Sequence, residues 1–223
     1  MMKNIILVII LSFMIAEKLP NEVRWVKKSN EYKSTCYQIY KYAKQNLALY
    51  VKPNQYSLNK QDKSGLAVIM DLDETVLDNS QYQVELFEKN ETFTMESWAA
   101  WVRKAEADLV PGSKDFIDLV RQNNIQLIFI SNRMNERLEE TILNMKKLGV
   151  HADNDIYLLR KNRADKKDIR RNEIYTSTGR MSTYRNFRVI QYLGDAMGDF
   201  PDKSFKEFGE SQFVFPNPMY GKW

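Results

Sequence analysis

The stretch GLAVIMDLDETVLDNS, Gly65 to Ser80, constrains the fold of this chain more than any other. Its apolar run, Leu66 to Met70, is short, unbroken and bounded by polar residues. That is the pattern of a strand buried on both faces, central in a parallel sheet. The run stops abruptly at carboxylates. In open α/β sheets ligands bind beyond the carboxyl ends of the strands, so Asp71 and Asp73 leave the strand where a substrate would sit. Residues two apart in extended backbone can face the same way, which would hold the two carboxylates close. Such a pair is costly unless a bound cation, or a split into one ionised and one proton-carrying group, relieves the repulsion. Taken alone, D-x-D-x-T is equally well an idle, solvated strand exit. The rest of the chain decides between the two.

The scarce residues exclude several classes. One cysteine, Cys36, rules out an intrachain disulfide framework and falls on a helical stripe as a buried structural thiol. One histidine, His151, leaves no second imidazole for a His-based zinc site, and it follows Gly149 at a helix exit, a structural position. Acid–base chemistry must come from carboxylates, Lys or Tyr. With 43% hydrophobic and 28% charged residues over 223 positions, the chain is globular, with room for one core and a small cap. The net charge of +4 is dispersed, so a small anionic substrate is the economical partner and a nucleic-acid polymer is not.

Residues 1–16 begin with Lys3 and continue with the apolar run Ile5 to Ile15. The run is short of the ~20 residues of an ordinary transmembrane helix and fits a secretory signal, or an uncleaved N-terminal anchor. Export to the periplasm or beyond is the favoured reading. Residues 17–223 then form a single domain, with cap elements expected at about 17–55 and 80–110. From about Glu22 to Leu49 the pattern is helical, with Cys36, Ile39, Tyr40, Ala43 and Leu47 on one stripe. A helix after Thr94 carries Trp98 and Trp101. Ser113 is read as the cap of a helix whose inner face is Phe116, Leu119 and Val120. Ile125–Ile130 is a second buried strand ending in Ser131, Asn132 and Arg133, and a helix follows over Glu136–Leu148. Ile156–Leu159 is a short strand, followed by the basic run RKNRADKKDIRR, read mostly as a solvated face. Val189–Leu193 leads into Gly194, Asp195 and then Asp199, and Phe213–Phe215 is an edge strand. Strands alternating with helices predict an α/β fold with a Rossmann-like parallel sheet.

Three strands thus end in reactive groups: Asp71 and Asp73, then Ser131, then Asp195. Together with a basic segment they supply what phosphoryl transfer needs: a carboxylate nucleophile, carboxylate ligands for Mg²⁺, a hydroxyl donor and a cation. The order D-x-D-x-T, Ser, Lys, G-D-x-x-x-D resembles that of the haloacid dehalogenase-like phosphohydrolases. DLDETVLDNSQY, SWAAWV, VPGS, ISNR, LGDAMGDF and FPNPMYGKW are further similar to the class C acid phosphatases, bacterial exported enzymes acting on nucleoside monophosphates. The lipid-attachment cysteine of the lipoprotein members is missing here. The resemblance implies that Asp71 attacks phosphorus and that Asp73 acts as general acid and base. It implies that Ser131 and Lys166 hold the phosphoryl oxygens, Lys166 aligning best and Lys161 and Lys167 remaining as alternatives. Asn132 and Arg133 would assist substrate binding. Asp71, Asp73 through its carbonyl, Asp195 and Asp199 would hold Mg²⁺, and Thr75 would support the loop. Trp98 and Tyr220 resemble an aromatic pair that sandwiches the base. The expected partners are a small phosphomonoester, a membrane only through the N-terminal segment, and at most a second copy of the chain. Competing readings are a non-catalytic storage or binding protein on the same fold, and an intracellular small-metabolite phosphatase.

Overall fold

The computed structural model of the chain describes residues 18–51 and 65–221; the N-terminal segment 1–16 and the connector 53–63 lie outside them. Gly65–Met70 (β1) is the middle strand of a five-stranded sheet. It pairs in parallel with Gln126–Met134 (β4) on one side and Phe187–Gly194 (β6) on the other. Beyond these lie Ile156–Arg160 (β5) and, at the opposite edge, Gln212–Val214 (β7), both also parallel. Burial on both faces explains the continuous apolar run of β1. Val68 and Met70 face one core layer, and Ala67 and Ile69 face the other, with Ile128, Ile130, Ile174 and Met181.

The N-terminal helical pattern is two helices, Asn21–Lys28 (α1) and Asn30–Val51 (α2), rather than one. Ser29 breaks it: its backbone is extended and its hydroxyl accepts the Tyr32 N–H at 3.0 Å, capping α2. The predicted stripe is the buried face of α2, with Cys36, Tyr40, Ala43 and Leu47 in the core and Ile39 packed at its margin. This helix lies on the sheet: Gln191 of β6 donates to the Ala43 carbonyl at 2.8 Å.

After β1 the chain makes a two-residue strand, Leu77–Asp78 (β2), then Ser80–Glu88 (α3) and Met95–Lys104 (α4), and returns through Asp108–Leu109 (β3), antiparallel to β2. Residues 79–107 are therefore an insertion on a two-stranded stem. Thr94 caps α4 through a reciprocal box with Ser97. Ser113–Gln122 (α5) follows, but its cap is Gly112, not Ser113. Gly112 takes φ +90°, a left-handed conformation that favours glycine, against the rings of Tyr37 and Tyr40. Leu138–Lys147 (α6) and Lys167–Thr176 (α7) complete the helices.

Candidate active site

Register alone brings the three reactive strand ends together. Met70 lies opposite Phe129 of β4 and Leu193 of β6, so Asp71, Ser131 and Asp195 emerge side by side at the carboxyl edge of the sheet. The turn after β1 is pinned by apolar burial at Leu72, Val76 and Leu77 and by three N–H groups converging on the Leu72 carbonyl. Tyr40 donates to the Thr75 carbonyl at 2.6 Å, which ties the loop backbone to α2. Glu74 takes a left-handed φ of 55° to complete the turn, and its buried carboxylate accepts the Asn79 N–H at 2.8 Å.

Asp71 is buried, and the alternation of β1 turns it toward α7. There Lys167, the first residue of α7, places its Nζ 2.7 Å from Asp71 Oδ1 and against Asp199. Burial would strip the Lys167 proton, but the Asp199 and Asp71 carboxylates outweigh it and hold the ammonium charged. Of the three lysines expected as candidates, only this one lies against the carboxylates. Lys166 sits at the N-cap of α7 with an exposed side chain, Lys161 is exposed as well, and Lys167 is the one in the site.

Asp71, Asp195 and Asp199 offer carboxylate oxygens within 4.8 Å of one another. Burial, only partly offset by Lys167, pushes Asp71 well up, and burial with the Asp199 charge pushes Asp195 up to about 6. Three carboxyl groups thus face one ammonium, and an all-oxygen donor set whose carboxyls are pushed up by burial and by one another fits a hard divalent cation. Asp195 is oriented by Asn217 Nδ2 at 2.8 Å, and Asp199 by the Ala196 N–H at 2.9 Å. Gly194 is required by that close packing: a Cβ there would lie 2.3 Å from the Cβ of Asp199.

Asp73 turns the other way, toward β4. Arg133 forks onto it through Nε and Nη2 at 2.9 and 2.7 Å, Asn79 Nδ2 reaches it at 3.0 Å, and Ser131 Oγ lies 3.3 Å away. Arg133 is 1% exposed. Its fork is committed to Asp73. Asn132 is exposed at the strand end with its Oδ1 accepting from Arg170 at 2.9 Å. Trp98 is half-buried, edge-on to Tyr82 and 5.7 Å from the Arg133 guanidinium. Tyr220 is half-buried in the tail, its N–H reaching the same Asn217 that orients Asp195. Cys36 is buried in α2 and His151 bonds Tyr157, both structural as read.

The whole chain, residues 1–223, matches the model of the HAD superfamily, subfamily IIIB (acid phosphatase). The chain belongs to that family. Among solved structures it is similar to the class C acid phosphatase from Bacillus anthracis, at 29% identity and a TM-score of 0.73. The alignment covers 90% of this chain and 84% of that one. The same enzyme with tungstate bound matches at 28% identity and a TM-score of 0.74 over the same shares. The stem 31 kDa glycoprotein of Glycine max is 28% identical over 155 residues, 68% of this chain. The match spans 58% of the soybean protein's length. The α/β fold with its parallel sheet is that of the HAD family, and acid phosphatases of this subfamily are phosphomonoester hydrolases.

Several residues that shape this acid phosphatase site carried no sequence signal. Arg170, read as part of a solvated charge run, is fully buried. It donates to the carbonyls of Ser131 at 2.5 Å, Leu158 at 2.9 Å and Asp165 at 3.2 Å. Arg171 and Lys167 of the same run are buried too. Glu74, Asn79 and Asn217 lie within quoted motifs, but only their partners reveal what they hold.

Proposed function

We propose that this acid phosphatase is a Mg²⁺-dependent enzyme that hydrolyses nucleoside monophosphates through an aspartyl-phosphate, an acyl phosphate on Asp71. The observation that carries the reading is the buried Asp71–Asp195–Asp199 cluster facing the single Lys167 ammonium at the N-terminus of α7. Asp71, Asp195 and Asp199 would hold the cation, which when bound adds positive charge for the transferring oxygens. Asp71 attacks phosphorus; the new Asp71 O–P bond forms as the bond to the leaving oxygen breaks, and a proton on Asp73 goes to that oxygen. Water then attacks phosphorus of the acyl phosphate, Asp73 takes its proton, and the Asp71 O–P bond breaks to release phosphate and restore the carboxylate. Lys167, the Ser131 hydroxyl and the N–H groups opening α7 hold the phosphoryl oxygens throughout. Tungstate, the ligand of the Bacillus relative, is a tetrahedral oxyanion like phosphate, which agrees with an oxyanion site in the family. The insertion at residues 79–107 would serve as the cap, with Trp98 as the platform for a base and Tyr220 of the tail as its candidate partner. Residues 1–16 direct export.

The test is phosphate release from a nucleoside monophosphate and from glycerol phosphate, with EDTA and with Mg²⁺ restored. The reading predicts release only with the metal. Trp98→Ala should raise KM for the nucleotide by about 5- to 150-fold, the worth of one base–aromatic stack, and leave KM for glycerol phosphate nearly unchanged. Equal KM losses on both esters would remove the base platform. No release with any divalent cation would leave a binding protein.

A further inference from the structure

Asp73 is gripped from two sides, and both grips lead back to the same helix. On one side Arg133 forks onto the carboxylate; its guanidinium lies 5.7 Å from the centre of the Trp98 ring and its Nη1 reaches Thr141 at 3.3 Å. On the other, Asn79 Nδ2 donates to Asp73 while Asn79 Oδ1 accepts from Trp101 Nε1 at 2.8 Å. Trp98 and Trp101 are three residues apart on α4, and therefore neighbours on one helical face. The arms also touch each other, since Arg133 Nη2 lies 3.3 Å from Asn79 Oδ1.

The partners fix which way Asn79 points. Its oxygen faces two donors, Trp101 and Arg133, and its nitrogen faces acceptors on Asp73, Glu74 and Leu77. Asn79 is fully buried and Trp101 is 2% exposed, so neither meets a substrate. A buried indole N–H committed to one amide oxygen holds that amide, and the amide holds the carboxylate. The helix is itself anchored: the Thr94–Ser97 box closes its start, and Tyr82 packs on both tryptophans and bonds Ser97 at 2.8 Å.

We propose that α4 sets the orientation of Asp73 through these two arms, making Trp101, Asn79 and Arg133 positioning residues for proton transfer to the leaving group. The inference rests on the reading of Asp73 as the general acid. It couples the insertion to the chemistry: a leaving group that settles on Trp98 presses on the same helix that aims the proton donor.

Trp101→Phe removes the N–H and keeps the ring. Its kcat for glycerol phosphate, whose leaving oxygen needs a proton, should fall about 10- to 100-fold more than its kcat for p-nitrophenyl phosphate, with KM for each within about twofold. Arg133→Lys, which keeps the charge and loses the fork, should show the same selectivity, and it carries the test if Trp101→Phe does not fold. Asp73→Asn is measured alongside. If Asp73→Asn discriminates between the esters while Trp101→Phe and Arg133→Lys lower both equally or neither, the two-arm control is wrong and the general acid stands. If Asp73→Asn does not discriminate, the general-acid reading fails and the inference falls with it.

Discussion

At the scale of single residues, one step of helix phase decides which lysine reaches the carboxylate cluster. Lys166 and Lys167 are adjacent, yet α7 starts at Lys167 and aims it at Asp71, while Lys166 remains outside as the extended cap. The Lys-Lys pair carries no mark of that phase, so the sequence leaves Lys161, Lys166 and Lys167 open as candidates. Lys167→Met should lower kcat by about 10²- to 10³-fold, the usual loss when a charge-stabilising donor is removed, and Lys166→Met by no more than about twofold. The reverse ranking in steady-state assays would place the phosphoryl-binding cation elsewhere. Asp71, Ser131 and Asp195 were legible because each ends an apolar run, and the end of a buried strand is written in the sequence. Arg133 and Arg170 were not, because a cation reads alike in solvent and in a core; what buries it are carbonyls and carboxylates from other strands.

At the scale of elements, the loop from Arg160 to Lys167 is what delivers the lysine, and it is tied down by partly buried ion pairs. Arg180 binds both Asp165 oxygens at 3.0 Å and also Glu173, and the Lys161 N–H reaches Asp165 at 2.9 Å. Burial pushes the Asp165 carboxyl up, but the Arg180 hydrogen bonds, the Lys161 N–H and the neighbouring arginine charges win and hold it below its ordinary value. A carboxylate depressed in the folded state adds stability above its unfolded pKa of about 3.9 and loses it as pH falls through the folded value. Asp165→Asn should therefore lower Tm at neutral pH, by the equivalent of about 1 kcal/mol for a partly exposed pair, and the gap to wild type should close in acid. A gap that stays constant from pH 7 to below about 3 would contradict this. Most elements were visible in apolar periodicity; the breaks were not. Ser29 splits the first helical pattern because its hydroxyl caps the next helix, and Gly112 displaces Ser113 as a cap because only the left-handed turn fits between two tyrosines.

At the scale of the molecule, the three central strands, β4, β1 and β6, bring their ends to one edge, and the insertion on its β2–β3 stem lies over Asp73 through α4. Parallel order and the strand ends were legible because both follow from alternating strands and helices. The grip of the insertion on Asp73 was not, since it depends on side-chain contacts across 22 and 54 residues of sequence. Among the described residues no helix is long and apolar enough to cross a membrane. The central claim is that Asp71 is the nucleophile, and the most direct measurement is turnover by Asp71→Asn on a nucleoside monophosphate with Mg²⁺ present. A neutral amide of the same shape should keep the melting transition and lose at least about 10³-fold in kcat, as nucleophile removal does elsewhere. A folded Asp71→Asn enzyme retaining more than roughly a few per cent of wild-type turnover would contradict the account.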